Sequence, residues 1–185
     1  GGGTFDISLL RVDSGVFQVK STGGDSALGG DDMDRAVAEH VLGAKGGTPS
    51  QIRAALDRAR RMKHGLTVAD EVEDGGVRLT RAQFDALVQP LLDRTGVACR
   101  RALKDAEITP AQLDGVILVG GSTRVPAVRG YVKKIFGKEP LSDIDPDKVV
   151  ALGAAVQANL LAGQGTEEVL LLDVLPLSLG IEVRG

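Results

Sequence analysis

The chain is 185 residues long, carries a formal net charge of −3, and is 43% hydrophobic and 25% charged with no Trp. That length buries roughly 70% of the unfolded surface, enough for one domain or two small subdomains, and the slightly acidic balance argues against a sequence-independent grip on nucleic acid. No stretch reaches the ~18 apolar residues of a membrane span, nothing resembles a signal peptide, and the scarcity of aromatic residues leaves an aliphatic core.

In chain order, Gly1, Gly2 and Gly3 lead through Thr4 and Asp6 into an alternating pattern of Phe5, Ile7 and Leu9. Thr4 to Ser21 reads as a hairpin, with its turn at Asp13-Ser14-Gly15 and a return through Val16, Phe17 and Val19. Because the glycines enter a hairpin and not a helix, neither GxxxxGK(S/T) nor GxGxxG applies. The loop still suits a phosphate, since residues without Cβ let backbone N–H groups converge on an anion.

Asp31 to about Leu42 reads as a helix with acidic residues in its first turn. After the break at Gly43 to Gly47, Thr48 and Pro49 cap a helix that carries Ile52, Ala55, Leu56, Ala59 and Met62 on one side and ends at Gly65. Arg58, Arg60, Arg61 and Lys63 make the rest basic, by themselves a solvated face. A hairpin turning at Asp74-Gly75-Gly76 leads to the capping box Thr80-Arg81-Ala82-Gln83. Phe84, Leu87, Val88, Leu91 and Leu92 follow at helical spacing, and the helix continues to Ala106 with Gly96 as the place for a kink. Cys99, the single cysteine, cannot form an internal disulfide; with no His near it in sequence it reads as a small buried hydrophobe in a reducing cytoplasm.

The last third reads as strand Val116–Val119, a glycine turn at Gly120-Gly121-Ser122-Thr123-Arg124, and a helix with Val125, Val128, Val132, Ile135 and Phe136. Asp145-Pro146-Asp147 starts another helix, whose Gly153-Ala154-Ala155 would let it pack closely on a neighbour before it ends near Gly163. Val169 to Asp173 and a strand through Leu177-Ser178-Leu179 close the chain. A phosphate-type loop at the first position, with no initiator Met, reads as a fragment.

GGGTFDIS, GGDSALGGDDMD, VILVGGSTRVP, DPDKVVALGAAVQA and VLLLDVLPLSLGIE, in this order, resemble the seventy-kilodalton heat-shock chaperone family over nearly the whole chain. SALGGDD, ACRRALKDA and IDPDKVVALGAA are more similar to its iron–sulfur assembly branch than to its general branch. The resemblance implies an α/β fold, one lobe of an actin-like (ribonuclease H-like) ATPase. Residues 1–29 and 96–165 would form a larger subdomain and 30–95 an inserted smaller α+β one, followed by an interdomain linker at 166–173 and the start of a truncated client domain at 174–185.

It also implies a site. Gly1, Gly2 and Gly3 would bind the β- and γ-phosphates of ATP or ADP, with Thr4 beside the γ-phosphate and Asp6 acting through the water shell of Mg²⁺. Gly120, Gly121, Ser122 and Arg124 would hold the adenosine end, closed by Asp147. Gly30 and Asp31 would line the cleft, and Asp57, Arg60, Arg61 and His64 would reach base and ribose from one helical face. The family commonly has Glu, Lys and Ser where this chain has Asp57, Arg60 and His64, which puts nucleotide affinity in question.

Val169, Leu170, Leu171, Leu172 and Asp173 would be the linker that adds to this lobe with ATP bound. The resemblance implies an ATP-driven chaperone of iron–sulfur cluster assembly, working with a J-type co-chaperone, a nucleotide exchange factor and an iron–sulfur scaffold protein as client, and apart from membranes. The catalytic parts of the first lobe lie outside this chain, so the chain alone is expected to hydrolyse negligible ATP. The rivals are a general chaperone, an actin-superfamily metabolite kinase, against which Thr123 to Pro126 and the Val169 to Asp173 segment argue, and a scaffold that kept the fold and lost nucleotide.

Overall fold

The computed structural model describes residues 2–43, 46–141, 145–146, 148–163, 169–174 and 180–181. Strands β1 (Phe5–Asp13) and β2 (Val16–Asp25) form the expected antiparallel hairpin. Ser14 and Gly15 both take positive φ, 49° and 83°, a primed two-residue turn that matches the twist of the strands it joins. The pairing runs from Asp13↔Val16 to Phe5↔Asp25 with an irregularity between Leu9 and Leu10. Leu9 and Val19 face the core.

Helices α1 (Gly30–Leu42) and α2 (Pro49–Gly65) follow, then strands β3 (Glu71–Asp74) and β4 (Val77–Thr80) and helix α3 (Arg81–Asp105). Thr48 and Thr80 cap α2 and α3 as the sequence reads. Each hydroxyl accepts from the N–H three residues on, at 3.3 Å in both cases, while Gln51 and Gln83 return the bond to the cap N–H at 2.8 and 2.9 Å. Helix α3 runs unbroken past Gly96, with Pro90 inside it.

Two apolar clusters organise these elements. The first joins Met33, Val37, Ala55, Ala59, Met62, Leu66, Leu79, Phe84, Val88 and Leu92 with Val125; the second joins Leu9, Cys99, Ala102, Leu103 and Phe136. Helix α3 contributes its first half to one and its second half to the other. Ser21 Oγ, buried against it, donates to the Ala102 carbonyl at 2.8 Å and fixes β2 on the helix. Cys99 is buried as a small hydrophobe, as expected.

Beyond α3 the expectations hold less evenly. Helix α4 (Pro126–Phe136) forms as read. Val116–Val119 does not form a regular strand: one parallel bridge, Ile117↔Leu141, is made, through Leu141 N–H to the Val116 carbonyl at 2.7 Å and Leu118 N–H to the Leu141 carbonyl at 3.1 Å. Ile117 stays 71% exposed, so among the described residues the run lacks the neighbours that an apolar strand needs on both sides. Helix α5 (Val149–Leu161) forms, but the close packing expected of Gly153 is absent among the described residues, since a Cβ there would meet nothing within 4 Å. Val150, Leu152, Val156 and Leu161 are all exposed.

Strand β5 (Leu170–Leu172) joins the edge of the hairpin, parallel to β2, with Val16↔Leu170 and Gln18↔Leu172 in register and the Leu170 N–H donating to the Gly15 carbonyl at 3.1 Å. The sheet order is β1-β2-β5, and β3-β4 stands apart as a two-stranded hairpin. The strand expected through Leu177 to Leu179 lies outside the described residues. The architecture is mixed α/β.

Candidate functional site

The two glycine turns, far apart in sequence, meet at the first residues of α1. The Asp31 N–H donates to the Gly2 carbonyl at 2.8 Å, and Gly29 N–H donates to Asp32 Oδ2 at 2.7 Å. A Cβ on Gly29 would stand 2.3 Å from the Gly2 carbonyl oxygen, so the two backbones approach at a distance only glycine permits. On the other side, a Cβ on Gly30 would stand 2.8 Å from Ser122 Oγ and 3.3 Å from Lys63 Nζ.

The second turn has its own requirement. Gly120 takes φ 96°, which sends the chain into a short 3₁₀ turn, Gly121–Arg124. Thr123 closes it, its N–H and hydroxyl both donating to the Gly120 carbonyl at 3.0 and 2.6 Å. Ser122 is thereby presented to Gly30. Arg124 Nη2 donates to Asp145 Oδ1 at 2.8 Å. Asp147, expected beside it, and Gly1 lie outside the described residues.

Thr4 and Asp6, the expected catalytic pair, are together at the entrance to β1, with Thr4 Oγ1 donating to Asp6 Oδ2 at 3.1 Å. Both are exposed, and a Cβ on Gly3 would meet nothing within 4 Å, so the space over this loop is open. Among the described residues no group of three or more His, Cys, Asp or Glu side chains converges as a metal cage. A single exposed carboxylate such as Asp6 fits a hard divalent ion that keeps most of its water, the habit of Mg²⁺.

The four positions expected on one face of α2 divide. Arg60 turns to α1: its Nε donates to Asp34 Oδ2 at 3.2 Å and its Nη2 to Asp31 Oδ1 at 3.3 Å. The hydrogen bond to Asp34, then that carboxylate's charge, raise the Arg60 pKa above its ordinary value. Arg61 points to the β3–β4 hairpin, where its Nε donates to Asp74 Oδ2 at 2.7 Å and pulls the Asp74 carboxyl below the usual range. Asp57 and His64 are exposed, and the His64 carbonyl accepts from the Thr67 hydroxyl at 2.7 Å.

The basic side of α2 is the solvated face that its composition suggests at Arg60 and Arg61, which are exposed, but not at Lys63. Lys63 is buried, 2.7 Å from Asp34 Oδ1, and donates to the Gly30 carbonyl at 3.0 Å. Arg58 joins Arg61 on Asp74, at 3.7 Å. Gly29, Asp34, Lys63 and Asp74 are the residues that sequence reasoning passed over. A signal existed for Lys63: Ala59, Lys63 and Leu66 follow at spacings of four and three and all are buried, so the lysine sits on the apolar stripe.

The structure therefore brings Gly2, Gly30, Asp31, Arg60 and Ser122 to one place, with Thr4 and Asp6 on the strand that leaves it. Arg61 is held elsewhere. Chemically this is a junction of glycine backbone bordered by hydroxyls and one guanidinium, donor groups of the kind that bind an anionic, polar ligand. Val169 precedes β5, which holds Leu170 to Leu172, and Asp173 Oδ1 accepts from the Val174 N–H at 2.8 Å. No helix among the described residues is long and apolar enough to cross a membrane.

Comparison with known proteins follows the same residues. The family model described as "Hsp70 protein" matches residues 1–65 and 50–185. The chain is 55% identical over its whole length to a chaperone protein HscA homolog of Variovorax paradoxus, covering 32% of that protein. It is 54% identical, with the same coverage, to the HscA homolog of Aeromonas hydrophila, and 52% identical to that of Mannheimia succiniciproducens, covering 31% of it. The chain thus spans about a third of the length of the curated relatives it matches.

Proposed function

Because this chain belongs to the Hsp70 family, with both its glycine turns inside the matched region, we propose that it supplies one wall of the ATP-binding cleft of an HscA-like chaperone. The parent protein would couple ATP hydrolysis to client binding in iron–sulfur cluster assembly. The wall would have the actin-like fold, and the two apolar clusters support a division into a larger and a smaller subdomain. The observation that carries the reading is the convergence of Gly2, Gly30 and Ser122 at the start of α1.

In this reading Gly2 and Gly3 offer backbone N–H groups to the phosphates in open space, and Thr4 lies beside the terminal one. Asp6 would hold Mg²⁺ through water, and the ion would supply charge neutralisation on the phosphate oxygens. Gly120, Gly121 and Ser122 leave room for the purine, Arg124 flanks it with Asp147, and Arg60, with Asp57 and His64, borders the ribose side. These groups act by placing the nucleotide and by matching its charge, not by forming bonds to it. Arg61 would serve through the hairpin it holds.

The parallel addition of β5 beside β2 supports a linker reading of Val169 to Asp173, because a strand held by few ladder bonds attaches and detaches at little cost. A J-type co-chaperone, an exchange factor and a scaffold client would read that state. The chain matches about a third of the length of its relatives, and turnover in this reading is a property of the whole protein.

Calorimetry of Mg-ADP with the full-length protein tests the reading, comparing it with Gly30→Val, which wedges a branched side chain between Ser122 and Lys63. Binding by the parent with a loss of about tenfold or more in the variant supports it. A folded parent that gives no heat rejects it in favour of a scaffold without nucleotide.

A further inference from the structure

Asp34 lies 2% exposed on α1, and one buried carboxylate rarely stands alone, because an uncompensated charge away from water is costly. It has two cations, both from α2. Lys63 Nζ, itself 10% exposed, sits 2.7 Å from Oδ1, and Arg60 Nε sits 3.2 Å from Oδ2. The lysine also reaches the Gly30 carbonyl at 3.0 Å, the peptide against which Ser122 stands. The arginine is different, 57% exposed, with its outer nitrogen on Asp31 at 3.3 Å. A guanidinium has five N–H donors in a rigid fork, so anchoring the inner edge on Asp34 aims the rest outward.

We infer that Asp34 is a positioning residue for the nucleotide wall: through Lys63 it fixes the Gly30 peptide, and through Arg60 it holds a guanidinium beside Asp31 at the start of α1. This rests on the nucleotide reading given above. Stability alone does not account for the arrangement, since replacing a buried ion pair with apolar groups of similar size is often neutral or stabilising. The two roles therefore predict different things for the same variant. A purely structural pair is replaceable by packing. A positioning carboxylate is not.

The experiment compares full-length parent protein, Asp34→Leu/Lys63→Met, the isosteric Asp34→Asn and the conservative Asp34→Glu, measuring the thermal midpoint and the Mg-ADP dissociation constant of each by calorimetry. The inference expects the double variant to fold with a midpoint near the parent's and to bind about tenfold or more weakly, with Asp34→Glu recovering part of the affinity. Should the double variant not fold, Asp34→Asn, measured below its own midpoint, carries the same expectation. Variants that bind as the parent does overturn the positioning role while leaving the nucleotide reading intact. A parent protein that binds no Mg-ADP removes both.

Discussion

Ser122 Oγ occupies the place beside Gly30 where a side chain would begin, 2.8 Å from the position of a Cβ. The two stand 92 positions apart in the sequence, yet the start of α1 is shaped to receive the second glycine turn, as Gly29 is shaped to receive the Gly2 carbonyl.

The first prediction uses that fit. Gly29→Ala places a Cβ 2.3 Å from one backbone oxygen and 2.6 Å from its carbon, neither of which can swing away as a side chain would. The loop must shift and the Asp31-to-Gly2 hydrogen bond weakens, which costs about 1–3 kcal/mol in chemical denaturation. Gly3→Ala, with nothing within 4 Å, leaves stability within about 0.5 kcal/mol. In the full-length protein it should nevertheless weaken Mg-ADP binding, because the added methyl stands where the phosphate would approach.

Asp85 on α3 holds a buried Oδ1 with no hydrogen-bond partner among the described residues, and burial raises its pKa above 3.8 against the opposing charge of Arg81. A carboxyl with a raised folded pKa favours folding only when protonated, so above that range it destabilises. Asp85→Ala should therefore stabilise at neutral pH, by about 0.5–1 kcal/mol once solvent screening is allowed for. Urea midpoints should show the gain shrinking as the pH falls through the raised folded pKa toward 3.8, and gone below 3.8, where the carboxyl is protonated folded or unfolded. A gain that persists unchanged in acid would assign the effect to helix propensity instead.

Burial pushes the Cys99 thiol up to about 11 from 9.0, with Arg100 opposing. Its nucleophilic thiolate is therefore scarce at neutral pH. Alkylation by iodoacetamide should proceed only as fast as the second cluster opens and should accelerate in subdenaturing urea. The folded state holds the neutral thiol, so its contribution to stability is complete below 9.0 and disappears as the pH rises through about 11.

Strand β5 rests on three register pairs, and its leucines are all exposed. Replacing Leu171 and Leu172 with Asp should free it from β2 without unfolding the hairpin, which is held by its own ladder and by Ser21 on α3. Hydrogen exchange should speed up for Leu170 N–H, bonded to Gly15, while the amides pairing β1 with β2 keep their protection. Parallel loss of protection in both would show the sheet to be a single unit.

The sequence was legible where local chemistry decides. Thr48 and Thr80 cap their helices, and Ser14-Gly15 turns the first hairpin, because each needs only residues three or fewer positions away. It misled where a distant partner decides. Val116–Val119 reads as a strand from its own composition, but a strand requires neighbours, and among the described residues only Leu141 answers Ile117. Lys63 reads as solvated until Asp34, on another helix, gives it a reason to be buried. The missing Cβ of the glycine loops reads as room for an anion, whereas Gly29 and Gly30 also make room for the Gly2 carbonyl and Ser122, which follows from what stands opposite.

Helix α3 has an architectural consequence. At 25 residues it is about 37 Å long by the usual rise per residue, and its two halves are rooted in different apolar clusters. It runs without a break at Gly96, so Phe84 and Val88 of one cluster and Cys99 and Ala102 of the other, where the hairpin rests, share one helix. The residues that pack the first cluster are thereby continuous in one helix with those that carry the hairpin on whose edge β5 sits.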